Sequence, residues 1–352
     1  MNPTFSICIP IYNMAGFLPE AVDSALGQTC TDLEVLIVDN ASTDRSYEIA
    51  GEYARRDRRV RVFRNTTNIG HLGNFNRCFE LAKGTWLKFL CADDWIAADC
   101  LERLKAAVQP GPLVMNCAEE YAFPSGASDE LRQIHLRYWR QHCPRLAERF
   151  PRRALIASTE FAELVAEDPT IHSMSANSAT FHRSGWERFG RYKLDLPTLN
   201  DWELAARIGV QSGVINVEDA VCYYRIHGSS LGDELVSKRP FATDVLCPLM
   251  LRHDVLYQPD YMAVREAAER LHIDLQYELF DAVRHARDNM AIYAKRGDTR
   301  AVEEWNDLLK RYPRLASVPP AYYPKKVWRY AMRRLRPANV DERVPADAGR
   351  SN

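Results

Sequence analysis

Four times in its first ninety residues the chain runs through a short apolar stretch and breaks off at polar residues, and each time a segment with helical spacing follows. Phe5 to Tyr12, Leu33 to Val38, Val60 to Phe63 and Leu87 to Leu90 are the apolar stretches. Between them lie Phe17 to Leu26, with Phe17, Leu18, Ala21, Val22 and Ala25 on one helical face, then Asp44 to Arg56 and Gly73 to Ala82. Strands alternating with helices predict an α/β protein, built on a mostly parallel sheet that right-handed crossovers cover on both faces. In such a sheet every strand ends on the same edge, so the polar residues that close the strands are expected together.

The fourth ending is the most unusual. Thr85 to Trp95 reads T-W-L-K-F-L-C-A-D-D-W, so an apolar strand stops at two adjacent carboxylates, Asp93 and Asp94. Open α/β sheets bind ligands in the crevice at the carboxyl ends of their strands. Two neighbouring carboxylates repel unless something positive lies between them, and a hard divalent cation carrying phosphates is one answer. Strand termination by Asp93 and helix capping by Asp94 is the other. Pro10, Tyr12 and Asn13 close the first strand, Asp39 and Asn40 the second, and Asn68, Gly70 and His71 follow the third. An aromatic ring, an amide and a carboxylate there suit a nucleobase, which needs a surface to stack on and an acceptor for a ring N–H. Each also has a plain structural use, Pro10 as a stiffener, Tyr12 as core, Asp39 as a turn residue.

Two phosphate-binding devices are excluded. The loop after the first strand, Ile11 to Phe17, holds a single glycine, so it cannot make a G-x-G-x-x-G turn, and the chain has no G-x-x-x-x-G-K-[ST] loop. Phosphate charge then has to be met by a cation and by side chains.

The 352 residues carry a formal charge of -1, which gives no global attraction to nucleic acid. The nine cysteines form no C-x-x-C pair and several sit in apolar runs, which predicts reduced thiols in the cytosol. With no leader pattern at Met1 and no apolar run near 20 residues, a cytoplasmic protein that does not cross a membrane is expected.

Beyond a strand at Leu113 to Cys117, an arginine-rich helical excursion is expected over 128–153. Ser178 to His182 reads as a strand, and a helix begins at Asn200-Asp201-Trp202-Glu203. Asp201 falls in its first turn, where the helix dipole favours a carboxylate, while Glu203 points about 200° away. Val214 to Val217 and Val221 to Tyr224 read as two strands, ending at Arg225-Ile226-His227-Gly228. His227 can offer an imidazole to a metal or phosphate there. From Val236 to about Tyr312 the pattern is helical. Residues 322–336 hold six cations, no acid and interleaved aromatics, which suits either an anionic bilayer surface or packing on the protein itself. The organisation expected is a catalytic domain over 1–232, with halves 1–117 and 118–232, a helical extension over 233–318 and a basic tail over 319–352.

S-I-C-I-P-I-Y-N from Ser6, V-D-N-A-S-T-D from Val38, N-I-G-H-L-G-N-F-N from Asn68, F-L-C-A-D-D from Phe89, N-D-W-E from Asn200 and Y-R-I-H-G-S-S from Tyr224 occur in this order. With them the chain resembles the inverting family 2 glycosyltransferases of the GT-A fold, over about Phe5 to Ser230. The resemblance implies a Rossmann-like, mostly parallel sheet flanked by helices, with a C-terminal helical extension. It implies that Pro10, Tyr12, Asn13, Asp39, Asn68, His71 and Asp93 hold a nucleotide sugar, that Asp94 and His227 hold Mg²⁺ or Mn²⁺, and that Asp201 is the catalytic base. The implied donor is a UDP sugar and the acceptor a glycan or a lipid-linked molecule in envelope polysaccharide synthesis, reached at the inner membrane face through 322–336. Two positions depart from the family pattern, Cys91 where many members have another aspartate, and Asn200 where a glutamate is usual. A sugar-nucleotide pyrophosphorylase would need a basic, glycine-rich first loop that is missing here. A nucleotide-binding scaffold without catalysis is the remaining alternative.

Overall fold

The computed structural model describes residues 2–130, 132–133, 146–150, 155–170, 174–196, 198–227 and 241–316. The first half runs β1 (Phe5–Ile11), α1 (Leu18–Leu26), β2 (Leu33–Asp39), α2 (Ser46–Arg56), β3 (Val60–Arg64), α3 (His71–Leu81) and β4 (Trp86–Phe89), then β5 (Trp95–Ile96) and α4 (Cys100–Ala107). There follow β6 (Val114–Ala122), α5 (Leu146–Arg149), β7 (Leu155–Ile156), α6 (Ser158–Glu167), β8 (Ala179–His182), α7 (Arg183–Phe189), α8 (Asn200–Ser212) and β9 (Val214–Arg225). A turn of π-helix at Ala242–Leu246 opens the extension of α9 (Cys247–Tyr257), α10 (Met262–Arg270), α11 (Leu275–Lys295) and α12 (Thr299–Arg311).

Among the described residues nine strands make one sheet, in the order β3-β2-β1-β4-β8-β6-β9-β5, with β7 paired to β9. The first four are parallel, as the strand–helix alternation requires. β8 enters antiparallel between β4 and β6, and β6 and β9 are parallel again. Sequence reading separates Val214–Val217 from Val221–Tyr224, but they form one strand. Its pairing with β6 jumps from Cys117 opposite Val217 to Ala118 opposite Val221, so Glu218 to Ala220 are accommodated as a bulge.

Alternation along β1 sends Phe5, Ile7, Ile9 and Ile11 to the core beneath α1 and α4, and Cys8 to the core beneath α3. Pro10 lies past the last β1–β4 pair, Cys8 with Phe89, where no ladder bond to β4 is needed. Gly84, just before β4, is close against β1: its N–H donates to Ser6 Oγ at 2.7 Å, and a Cβ there would stand 2.4 Å from the Ser6 nitrogen. The α3 core continues without a break into α9 to α12 through Leu249, Ala267, Leu279 and Leu308, so the extension shares its hydrophobic centre with the sheet. Leu271 is exposed just past the end of α10.

That junction is held by charge as well. Glu203 is wholly buried, with Lys193 Nζ and Arg207 Nε each 2.9 Å from its carboxylate, and Tyr261 donates to it at 3.0 Å. Burial alone would raise the Glu203 pKa, but Arg207 and Lys193 outweigh it and hold the carboxyl below its usual range. Removing one partner of such a group strands the others without compensation. Glu203→Ala is therefore expected to destabilise the protein by about 3–5 kcal/mol in urea unfolding; a loss below about 1 kcal/mol would show that the network relaxes around the gap.

Candidate active site

The strand ends do gather on one edge. At the β1 and β2 side, Ser42 to Ser46 form a bracket that pins the loop after β1. Ser42 Oγ accepts from the Asn13 N–H at 3.0 Å, Ser46 Oγ from the Met14 N–H at 2.7 Å, and Asp44 from the Ala15 N–H at 3.1 Å. Asn13 adopts φ 55°, a left-handed conformation asparagine tolerates better than most residues, and its Oδ1 accepts from the Thr43 N–H at 2.9 Å. The bracket leaves Tyr12, at the end of β1, 44% exposed.

Asp39 stands at the end of β2 as expected, yet its carboxylate is wholly buried. It accepts from the Ser42 N–H at 3.2 Å and pairs with Arg64 Nε at 3.0 Å. Arg64, which sequence reading passes over, also packs over the Tyr47 ring at 4.6 Å. Asn68 Oδ1 accepts from Asn40 Nδ2 and from the Gly70 N–H, both at 2.9 Å, so it shapes the loop ahead of α3. His71 is the first residue of that helix, two residues earlier than periodicity suggests, and follows Gly70 at φ 79°.

Past β4, the Cys91 thiol and the carboxylates of Asp93 and Asp94 place donor atoms within 4.8 Å of one another. Their surroundings differ sharply. Asp94 is 2% exposed, and both of its oxygens are engaged: Oδ1 accepts from the Arg225 N–H at 2.7 Å and Oδ2 from Asn177 Nδ2. Burial, then the adjacent Asp93 charge, push the Asp94 carboxyl up to about 8. Asp93 is less enclosed, and its Oδ2 lies 3.0 Å from His227 Nε2. The His227 ring in turn rests against Phe17, with centroids 4.9 Å apart. Arg225 braces the group from β9: its Nε donates to the Asp93 carbonyl at 2.8 Å, its Nη2 meets Glu20 of α1 at 2.5 Å, and its guanidinium lies over Trp95 at 4.6 Å. Through Phe17 and Glu20 the first loop and helix are thus tied to the acidic tip.

Asp201 approaches from the far side, in the first turn of α8. Leu199 before it is left-handed at φ 59°, which turns the chain into the helix. Asp201 Oδ1 accepts from the Trp202 N–H at 2.8 Å and Oδ2 from the Ala176 N–H at 3.1 Å. The next residue, Asn177, contacts Asp94 and, through Oδ1, accepts from the Cys91 N–H at 2.8 Å. Asp201, Asp93, Asp94 and His227 therefore belong to one connected group. Tyr12, Asn13, Asp39, Asn68 and His71 lie around the ends of β1, β2 and β3 instead.

Asn177, Arg225 and Arg64 were not foreseen. Arg225 lies within a stretch already singled out and could have been weighed as its anchor, whereas Asn177 is identified by its contacts alone. Gly228 to Ser230, most of the 128–153 stretch and the basic residues 322–336 lie outside the described residues. Among those described, no helix is long and apolar enough to cross a membrane.

A mixed, mostly parallel sheet flanked by helices, with a helical C-terminal region, is the architecture of the GT-A glycosyltransferases. Two solved structures share it. One is the mannosyltransferase PcManGT from Pyrobaculum calidifontis in complex with GDP-Man and Mn²⁺, at TM-score 0.53 and 19% identity over 95% of this chain and 85% of that one. The other is S. aureus TarS 1-349 in complex with UDP-GlcNAc, at TM-score 0.53 and 14% identity over 88% and 92%. Residues 6–164 match the family described as "Glycosyl transferase family 2". A PGL/p-HBAD biosynthesis glycosyltransferase of Mycobacterium bovis is 41% identical over 116 residues, 32% of this chain and 45% of that protein. The chain spans about a third to a half of the length of the curated relatives it matches.

Proposed function

We propose that the protein is an inverting glycosyltransferase that moves a sugar from a nucleoside-diphosphate sugar, UDP-linked by preference, to the hydroxyl of a glycan or lipid-linked acceptor. The observation that carries this reading is the connection of Asp201, through Ala176 and Asn177, to the carboxylates at the end of β4. Donor and acceptor chemistry need those two groups on opposite sides of one anomeric carbon.

The residues present fit a divalent cation. Asp93 and His227 converge, oxygen and nitrogen donors that suit Mn²⁺ or Mg²⁺, and two adjacent carboxylates gain from a neighbouring positive charge. Asp93 and His227 would hold it, with Asp94 bracing them from behind. This moves to Asp93 the ligand role that the resemblance gives to Asp94, because both Asp94 oxygens already accept hydrogen bonds, from the Arg225 N–H and from Asn177. There a divalent cation would supply positive charge to offset the negative charge that builds on the departing diphosphate. Asp201 takes the proton of the acceptor hydroxyl as its oxygen attacks the anomeric carbon. The bond to the diphosphate breaks with its electron pair leaving on the nucleotide, and the centre inverts. The Tyr12 ring offers the stacking surface for the base. For Asp39 to meet a base N–H, Arg64 would have to yield its place.

That PcManGT and TarS were solved with nucleotide sugars supports the donor class and leaves its base to experiment. The six cations of 322–336 support an acceptor carried on an anionic membrane. A thermal-unfolding panel of UDP, GDP and dTDP sugars, with Mn²⁺ and with chelator, decides the donor. The cognate sugar nucleotide at 100 times its Kd is expected to add about 2.7 kcal/mol of stability, and less with chelator. Stabilisation by a GDP sugar alone would change the base, and silence from every nucleotide would remove the reading.

A further inference from the structure

Lys88 is the only charge in β4, and it is fully buried. It faces the α1 and α4 side of the sheet, where its ammonium contacts Cys117 Sγ at 3.4 Å and donates to the backbone carbonyl of Asn177. Burial alone would lower the Lys88 pKa, but the neighbouring Cys117, Cys100 and Cys222 outweigh it and hold the ammonium above the usual lysine range. Burying a cation among thiols is costly, and methionine would fill the same space. What the cation holds is therefore the informative part.

Asn177 is also buried, and it is used at three points. Its carbonyl accepts from Lys88, its Nδ2 donates to Asp94, and its Oδ1 accepts from the Cys91 N–H. The turn that carries it is closed on itself: Ser178 Oγ accepts from the Ser175 N–H at 2.9 Å, and Ser175 Oγ from the Ser178 N–H at 3.1 Å. Ser175 Oγ further donates to Glu119 of β6 at 2.5 Å. Within this turn Ala176 binds Asp201 and Asn177 binds the strand tip. Two consecutive residues therefore link the proposed base to Asp94, next to the proposed cation ligand Asp93.

We propose that Lys88 and Asn177 are a positioning pair that locks the acidic tip of β4 and the Asp201 carboxylate into one rigid frame, setting the alignment of acceptor against leaving group. Neither touches substrate. The inference rests on the transferase reading, and its test separates the two. Lys88→Met keeps the volume and removes the charge; Lys88→Arg keeps a buried cation. Mn²⁺ affinity is read by electron paramagnetic resonance on the full chain, and donor hydrolysis and sugar transfer by product analysis. Outer partners of metal sites change affinity or activity about 10–100-fold when removed. Lys88→Met is expected to fold, to bind Mn²⁺ about 10-fold more weakly, and to lose transfer about 10–100-fold while the ratio of donor hydrolysis to transfer rises. Lys88→Arg is expected to recover part of both. A purely structural lysine would shift thermal stability and leave Mn²⁺ affinity and the hydrolysis-to-transfer ratio where they were, and that result would overturn the proposal. Should Lys88→Met fail to fold, Asn177→Ser is read by the same measurements with the same two outcomes. If the wild-type chain transfers no sugar, the transferase reading fails, while the Mn²⁺ titrations still decide whether Lys88 and Asn177 order the tip.

Discussion

Asp201→Asn is expected to lower kcat for sugar transfer by about 10²–10⁴-fold while leaving affinity for the nucleotide sugar close to its wild-type value, because a general base contributes to the transition state and little to donor binding. Asparagine preserves the shape of the side chain, and its amide oxygen can still accept from the Ala176 or Trp202 N–H that holds Asp201. The frame should survive and only proton acceptance be lost. Steady-state kinetics with isothermal titration of the donor makes the check. Equal losses in turnover and donor affinity would mean that Asp201 shapes the nucleotide site, and an unchanged kcat would remove it from the chemistry.

The second large effect is expected at Asp93. Asp93→Ala removes the carboxylate beside His227, and with it Mn²⁺ binding; transfer should fall by about 10²–10³-fold, which corresponds to several kcal/mol of lost stabilisation of the leaving group. Asp94→Asn supplies the contrast. Its oxygens face Arg225 and Asn177 and are buried, so this change should affect stability more than Mn²⁺ affinity. The reverse pattern, with Mn²⁺ lost in Asp94→Asn and retained in Asp93→Ala, would restore the ligand assignment that the family resemblance implies.

These two experiments bear on how far primary structure carries the functional reading. Apolar periodicity was enough to place β1 to β4 and the helices between them, since each element buries its own stripe and the parallel order follows from right-handed crossovers. It was enough to bring Asp39, Asp93 and Asp94 to one edge. It also separated Asp201 from Glu203, which takes its place in the buried network with Lys193 and Arg207. It did not anticipate that Asp39 is sealed beneath Arg64, because that ion pair joins residues 25 positions apart on neighbouring strands.

A charged residue inside an apolar strand, such as Lys88, announces that a partner must exist but cannot say which, since any of several distant carbonyls or thiols would serve. The carbonyl is that of Asn177, 89 residues on, and its choice depends on β8 entering antiparallel beside β4. Local pattern thus decides which residues reach the working edge. Which of two adjacent aspartates faces outward is set by donors arriving from β9 and from the turn before β8, and those contacts exist only once the sheet has closed around them.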